Sequence, residues 1–167
     1  MSTEGNTPSD FDPRIRPANL DDRSDRTFIR STWSRYFKMS RDGGMIHTDD
    51  WAMIMHRQID RVLDRSHTRA LLCYEHNSPT FLYGWIAGDT SGPTPMVYFA
   101  HVKAPFQRNK LATQLLQALG VDARRPFEYM CRTDALLFLK DKIPMAAYKP
   151  LEARFPRETR RDRWPKT

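Results

Sequence analysis

Between residues 70 and 102, three short apolar stretches are separated only by clusters of turn-forming residues, and this run limits the possible folds more than any other. Residues 70–74 end at Glu75, His76, Asn77, Ser78 and Pro79; residues 80–87 end at Gly88, Asp89, Thr90, Ser91, Gly92 and Pro93; Met96–Val102 is the third stretch. Parallel neighbours need a crossover of about a dozen residues, so connections this short make the first two strands an antiparallel hairpin.

Ahead of this run the periodicity is helical. Ile15 and Arg16 form a brief first strand that Pro17 closes. Asn19 is placed to cap a helix whose first turn holds Asp21 and Asp22, where acids suit the helix dipole. Phe28, Ile29, Trp33, Tyr36 and Phe37 then recur on one face. Residues 41–44 break the pattern, and a second helix runs from residues 48–50 to about Arg65 with Trp51, Ile54, Met55, Ile59, Val62 and Leu63 facing inward. After Met96–Val102, Pro105 ends the strand. Leu111, Ala112, Leu115, Leu116 and Leu119 line one side of a helix that Gly120 stops. Residues 127–131 read as a strand, 135–139 as a short helix and 145–148 as a last strand.

The order is strand, two helices, three strands, helix, strand, helix, strand, which predicts an α+β fold around a mostly antiparallel sheet. It contains one strand–helix–strand unit, from Met96 to Cys131, whose strands should be parallel neighbours joined by a right-handed crossover. Residues 1–12 read as a flexible polar lead-in, 13–153 as the domain and 154–167 as a basic tail.

Bulk features narrow the class. No apolar run approaches the roughly 18 residues a membrane helix needs, and the start lacks a secretory pattern. Cys73 and Cys131 sit in apolar runs without metal or redox spacing, and the five His (47, 56, 67, 76 and 101) are scattered. Buried, reduced thiols in a cytoplasmic protein without a metal are therefore expected. The net charge of +7 suits an anionic partner. Residues 154–167 carry six basic and two acidic side chains, either a solvated tail or an arm for nucleic acid or an acidic partner.

A strand that turns directly into a helix exposes backbone N–H groups without helical acceptors, at the positive end of the helix dipole. Residues 103–110 occupy that place, and Arg108 and Lys110 add side-chain charge for a phosphate.

That segment also resembles a known family. Val102–Lys103 followed by Phe106, Gln107, Arg108, Asn109, Lys110, Leu111 and Ala112 is similar to the loop of the GNAT superfamily of acyl-CoA-dependent N-acetyltransferases. There the loop reads Gln or Arg, two free residues, Gly, one free residue, then Gly or Ala. Gln107 and Ala112 match; Lys110 stands where glycine is usual. Ile15, Arg16, Pro17, Ala18 and Asn19 resemble the family's opening. The likeness spans about residues 14–150 and implies a GNAT-like mixed sheet with helices on both faces.

It also implies an acetyl-CoA or coenzyme A site at Val102, Gln107, Arg108, Asn109, Lys110, Leu111 and Ala112. A lysine in helical geometry would be tolerated at position 110. The expected chemistry is acetyl transfer to a primary amine of a protein or small molecule. A backbone N–H near Val102 would meet the oxyanion. The family's usual glutamate on this strand is missing, since Met96–Val102 holds no acid. His101 is the candidate base, or else a packed residue, because alternation sets it opposite Val102. Tyr148 is the candidate acid by likeness to a late family tyrosine.

Residues 33–36 (Trp-Ser-Arg-Tyr) and 143–150 further resemble small phage-associated GNAT-like proteins. That narrower likeness implies a phage or prophage product in a bacterial cytoplasm. It leaves open a second function: a degenerate GNAT-shaped protein that binds and inhibits or redirects a host enzyme.

Overall fold

The hairpin expected around Asn77 is the spine of the structure. The computed structural model of the protein describes residues 11–38, 48–133, 135–136 and 146–148. Strand β2 (Arg69–Glu75) turns at Glu75–Ser78 into β3 (Ser78–Asp89), and β4 (Met96–Val102) pairs antiparallel with β3. β1 (Pro13–Pro17) lies antiparallel along the far side of β2, with Ile15 facing Cys73. β5 (Phe127–Tyr129) and β6 (Ala146–Tyr148) complete the sheet, which keeps chain order from β1 to β6. β5 is parallel to β4, as the strand–helix–strand unit requires, and β6 is parallel to β5.

Each face of the sheet carries helices. α1 (Arg23–Lys38) and α2 (Thr48–Leu63) cover one, packing Ile29, Trp33, Met55, Ile59 and Val62 against Leu72, Trp85 and Phe99. α3 (Leu111–Leu119) covers the other, setting Leu111, Leu115, Leu116 and Leu119 against Leu71, Ile86, Val97 and Phe127. Those four leucines are fully buried, each contributing about 1.5–3 kcal/mol. α3 stops at Gly120, whose φ of 95° lies in the left-handed region, and Arg69 donates to the Leu119 carbonyl at that end. Among the described residues no helix is long and apolar enough to cross a membrane.

Several boundaries differ from expectation. α1 begins at Arg23: the Asn19 side chain accepts the Asp21 N–H at 3.2 Å, and Asp22 accepts from Ser24 at 2.8 Å, so the cap passes from Asn19 to Asp22. Ile54 does not face inward; it is 44% exposed, because the buried arc of α2 runs through Met55, Ile59, Val62 and Leu63. β5 ends at Tyr129 rather than Cys131. Ala135 and Leu136 are helical as expected. The Trp51 side chain, the remainder of the 135–139 helix, Met145 and the basic tail lie outside the described residues, as do residues 1–10.

Charge pairs fasten β1 and α2 to α1. Asp25, 3% exposed, accepts two bonds from Arg16 at 2.6 and 2.9 Å and a third from the Asn19 amide at 2.9 Å. On the outer side, Arg26 and Arg30 share Asp60, and Arg26 also bonds Asp64 at 2.6 Å. The Arg16 bonds hold the Asp25 carboxyl below its usual range, although burial acts to raise it. A depressed carboxylate stabilises the fold above its unfolded pKa of about 3.9, and that share is lost as pH falls through the folded value below it. Asp25→Asn should therefore cost about 1.5–3 kcal/mol at pH 7 and flatten the acid limb of stability. Urea melts of both proteins from pH 7 to pH 3 would show their curves converging at the acid end.

Candidate functional site

β4 departs from regular alternation at Tyr98. Gly88 faces Val97 while Ala87 faces Phe99, so Tyr98 is an extra residue on β4. The side chains agree: Tyr98 and Phe99 both pack on the α1–α2 face, whereas Val97, Ala100 and Val102 pack on the α3 face. The bulge also turns the backbone. The Lys103 N–H donates to the Tyr83 carbonyl at 2.8 Å, so in this part of the ladder the odd-numbered residues bond to β3. Ala100 and Val102 direct their N–H and C=O groups the other way, toward β5.

β5 does not meet them. It pairs with β4 only at Met96 and Val97, and the last bond runs from the Met130 N–H to the Val97 carbonyl at 2.9 Å. Beyond Val97 the β4–β5 pairing stops, and among the described residues the β4 edge from Ala100 to Val102 has no neighbouring strand, which leaves an opening in the ladder. That opening ends where the chain enters α3. Ala104–Phe106 makes a single tight turn; Phe106 donates to Lys103 at 2.9 Å and Asn109 to Phe106 at 3.2 Å. The N–H groups of Lys110, Leu111, Ala112 and Thr113, the N-terminal donors of α3, find no acceptor among the described residues.

The expected cofactor residues converge here with distinct roles. The Gln107 side chain bonds the Val102 carbonyl at 3.1 Å, bracing the loop against the strand it leaves. Leu111 is buried beneath the loop, so it offers its backbone. Ala112 packs against the core beside it. Asn109 is half-buried, and the Arg108 and Lys110 side chains are exposed at the helix entrance. Lys110 does not adopt the helical geometry expected of it. It caps α3 at φ 59° and ψ 12°, the one positive φ outside glycine among the described residues. A glycine would supply this left-handed backbone without strain, and a lysine there costs about 1–2 kcal/mol.

His101 and Tyr148 are not brought together. His101 is half-buried opposite Trp85, on the α1–α2 face. Tyr148 lies on β6, paired with Tyr129, and its ring sits 5.5 Å from the Tyr129 ring, which packs on the α3 face. The Arg132 guanidinium covers Tyr148 at 4.2 Å.

Sequence reasoning missed three parts of the site. Ala100 shares the orientation of Val102, through a bulge with no signature in a run of apolar residues. An aromatic group supports the loop from below: the Phe106 ring lies 4.6 Å from Tyr83 and 5.9 Å from Phe11. Tyr83 donates its hydroxyl to Glu75. That bond lowers the Glu75 pKa, while burial first and then the Glu75 carboxylate raise that of Tyr83. Glu75, taken from sequence as a surface turn residue, is a brace for the loop's aromatic support. The hairpin carried no signal for this bond: Glu75 pairs with Ser78, and Tyr83 falls in the register shift between the Leu82 and Gly84 pairs. The third part is Tyr36, whose hydroxyl donates to the Arg132 carbonyl. Among the described residues no cluster of His, Cys, Asp or Glu could hold a metal, and both cysteines are buried thiols.

No protein-family profile matches the chain, and a search of curated proteins finds no sequence match. Solved structures do match in shape. An assigned acetyl transferase from Pyrococcus furiosus superposes with a TM-score of 0.57 at 12% identity, over 78% of this chain and 91% of that one. An assigned GNAT-family acetyltransferase from Staphylococcus aureus gives a TM-score of 0.50 at 18% identity, over 63% of this chain and 86% of that one. A looser match, with a TM-score of 0.48 at 12% identity over 93% of this chain and 92% of that one, is an assigned acetyltransferase from Clostridium acetobutylicum solved with acetyl-CoA. The sheet in chain order, with α1 and α2 on one face and α3 on the other, has the fold of the GNAT acetyltransferases.

Proposed function

We propose that the protein is an acyl-CoA-dependent N-acyltransferase that moves an acetyl group to a primary amine of a small molecule or protein. The observation that carries this reading is the continuity, among the described residues, between the β4 edge at Ala100 and the Val102 N–H, which β5 does not pair, and the unsatisfied N–H groups at the start of α3. Amides of an extended pantetheine arm would pair with the strand edge, and the pyrophosphate would sit on the helix donors, with Arg108 and Lys110 adding charge. The Val102 or Ala100 N–H would meet the thioester oxygen as it gains charge. The amine nitrogen forms a bond to the carbonyl carbon, the C–S bond breaks and coenzyme A leaves as thiolate. His101 would take the amine proton from the α1–α2 face, and Tyr148 would protonate the thiolate from the α3 face.

Isothermal titration with acetyl-CoA tests this directly. Saturable binding in the micromolar range is expected, and no heat of binding at millimolar acetyl-CoA would refute it.

One observation favours a second reading. β4 presents no carboxylate from Met96 to Val102, leaving His101 to serve as base. A GNAT-shaped protein without turnover, phage-encoded and acting on a host enzyme in the bacterial cytoplasm, would need no base. Acetyl-CoA binding without release of free thiol across a panel of amines would favour it.

A further inference from the structure

One wall of the opening between β4 and β5 is a helix, and its residues bear on which acyl groups fit. Trp33 and Tyr36 sit one turn apart on α1. Their rings lie 5.1 and 5.5 Å from the ring of Phe99 on β4. The same two side chains reach the chain beyond β5. The Tyr36 hydroxyl donates to the Arg132 carbonyl. The Trp33 indole N–H, which has no hydrogen-bond partner among the described residues, packs in the same core as the Cys131 thiol, which burial pushes up to about 12. α1 thus straddles the gap, with aromatic faces on one bank and polar atoms on the other. Trp33, Phe99 and Cys131 are all almost completely buried, and renewed strand pairing at Val97 closes the floor.

We propose that Tyr36, backed by Trp33 and Phe99, limits the acyl group to a short one of two or three carbons. This rests on the acyl-CoA reading above. A thioester whose oxygen takes the Ala100 or Val102 N–H directs its acyl carbons along the gap toward Phe99 and Tyr36. Phe99 is in the core, and the half-buried Tyr36 ring is held at both ends, by Phe99 and by the Arg132 carbonyl. Close-packed interiors do not absorb added methylenes without displacement. Tyr36 is therefore a specificity residue, acting by volume rather than by chemistry.

The test is calorimetric titration of CoA, acetyl-CoA and hexanoyl-CoA into the wild type, Tyr36→Phe and Tyr36→Ala. The wild type should bind CoA and acetyl-CoA comparably and hexanoyl-CoA about tenfold or more weakly. Tyr36→Phe keeps the ring and should keep this limit. Tyr36→Ala should shift the ratio of hexanoyl-CoA to CoA affinity about tenfold toward hexanoyl-CoA relative to the wild type. Thermal melts identify variants that fail to fold; if Tyr36→Ala does, Tyr36→Leu makes the same comparison. Equal wild-type affinity for acetyl-CoA and hexanoyl-CoA, or an unchanged ratio in the folded small-side-chain variant, overturns the proposal while leaving the acyl-CoA reading intact. If CoA itself does not bind the wild type, both fall together.

Discussion

Gly84→Ala should destabilise the protein by about 3 kcal/mol, lowering the melting temperature by about 6–12 °C. A Cβ at Gly84 would lie 2.3 Å from the His101 carbonyl oxygen and 3.0 Å from the Val102 Cα. Both are main-chain atoms, so no side chain can swing aside. Gly84 and Val102 are direct cross-strand partners in a narrow, non-hydrogen-bonded pair, and the missing side chain lets β3 draw close to β4 beside the open edge. The alanine must either push β4 outward or break the pairing there. Gly92→Ala is the control: in the turn before β4, its nearest neighbour would be the Thr94 carbonyl at 3.9 Å, and its melting temperature should stay within about 2 °C of wild type. Equal melting of the two variants would mean that the close approach at Gly84 is not needed.

Gly84 illustrates what could be read before the structure and what could not. A glycine within a strand signals close approach, but only the pairing register shows what approaches. β4 was placed correctly from end to end and α3 at its stop, because a mostly apolar run and a leucine face closed by Gly120 leave little freedom. The same apolar run hid the bulge. Met96 through Ala100 are buried on both faces, so an extra residue at Tyr98 disturbs no alternation of polar and apolar. β5 was read two residues long because Met130 and Cys131 are apolar; they are buried, but against α1, after β4 has left their side. Strand, loop and helix order marked residues 103–110 as a candidate anion site, and the family likeness added to that reading. Its left-handed Lys110 was not marked, since lysine carries no local preference for that backbone. The family likeness pointed to it through the glycine it lacks.

Reversing both charges at the entrance to α3, with Arg108→Glu and Lys110→Glu together, should weaken acetyl-CoA binding about a hundredfold at low salt. Each reversal removes an attraction to the pyrophosphate and adds a repulsion, and about 1.4 kcal/mol apiece suffices for that factor. Screening makes the loss smaller as salt rises, since the Debye length falls to about 8 Å at physiological ionic strength. Lys110→Gly separates charge from backbone. It removes one cation but relieves the left-handed strain at φ 59°, so the fold should gain about 1 kcal/mol while acetyl-CoA affinity falls only a few-fold. That outcome would assign most of the binding to the N–H groups of Lys110 through Thr113, with the side-chain charges as an added field. Titrations of the wild type, the double reversal and Lys110→Gly at two salt concentrations, alongside thermal melts, measure both quantities. A double reversal that binds acetyl-CoA as the wild type does would move the phosphate away from the α3 entrance. A Lys110→Gly variant as weak as the double reversal would make the lysine charge, rather than the helix donors, the principal anchor.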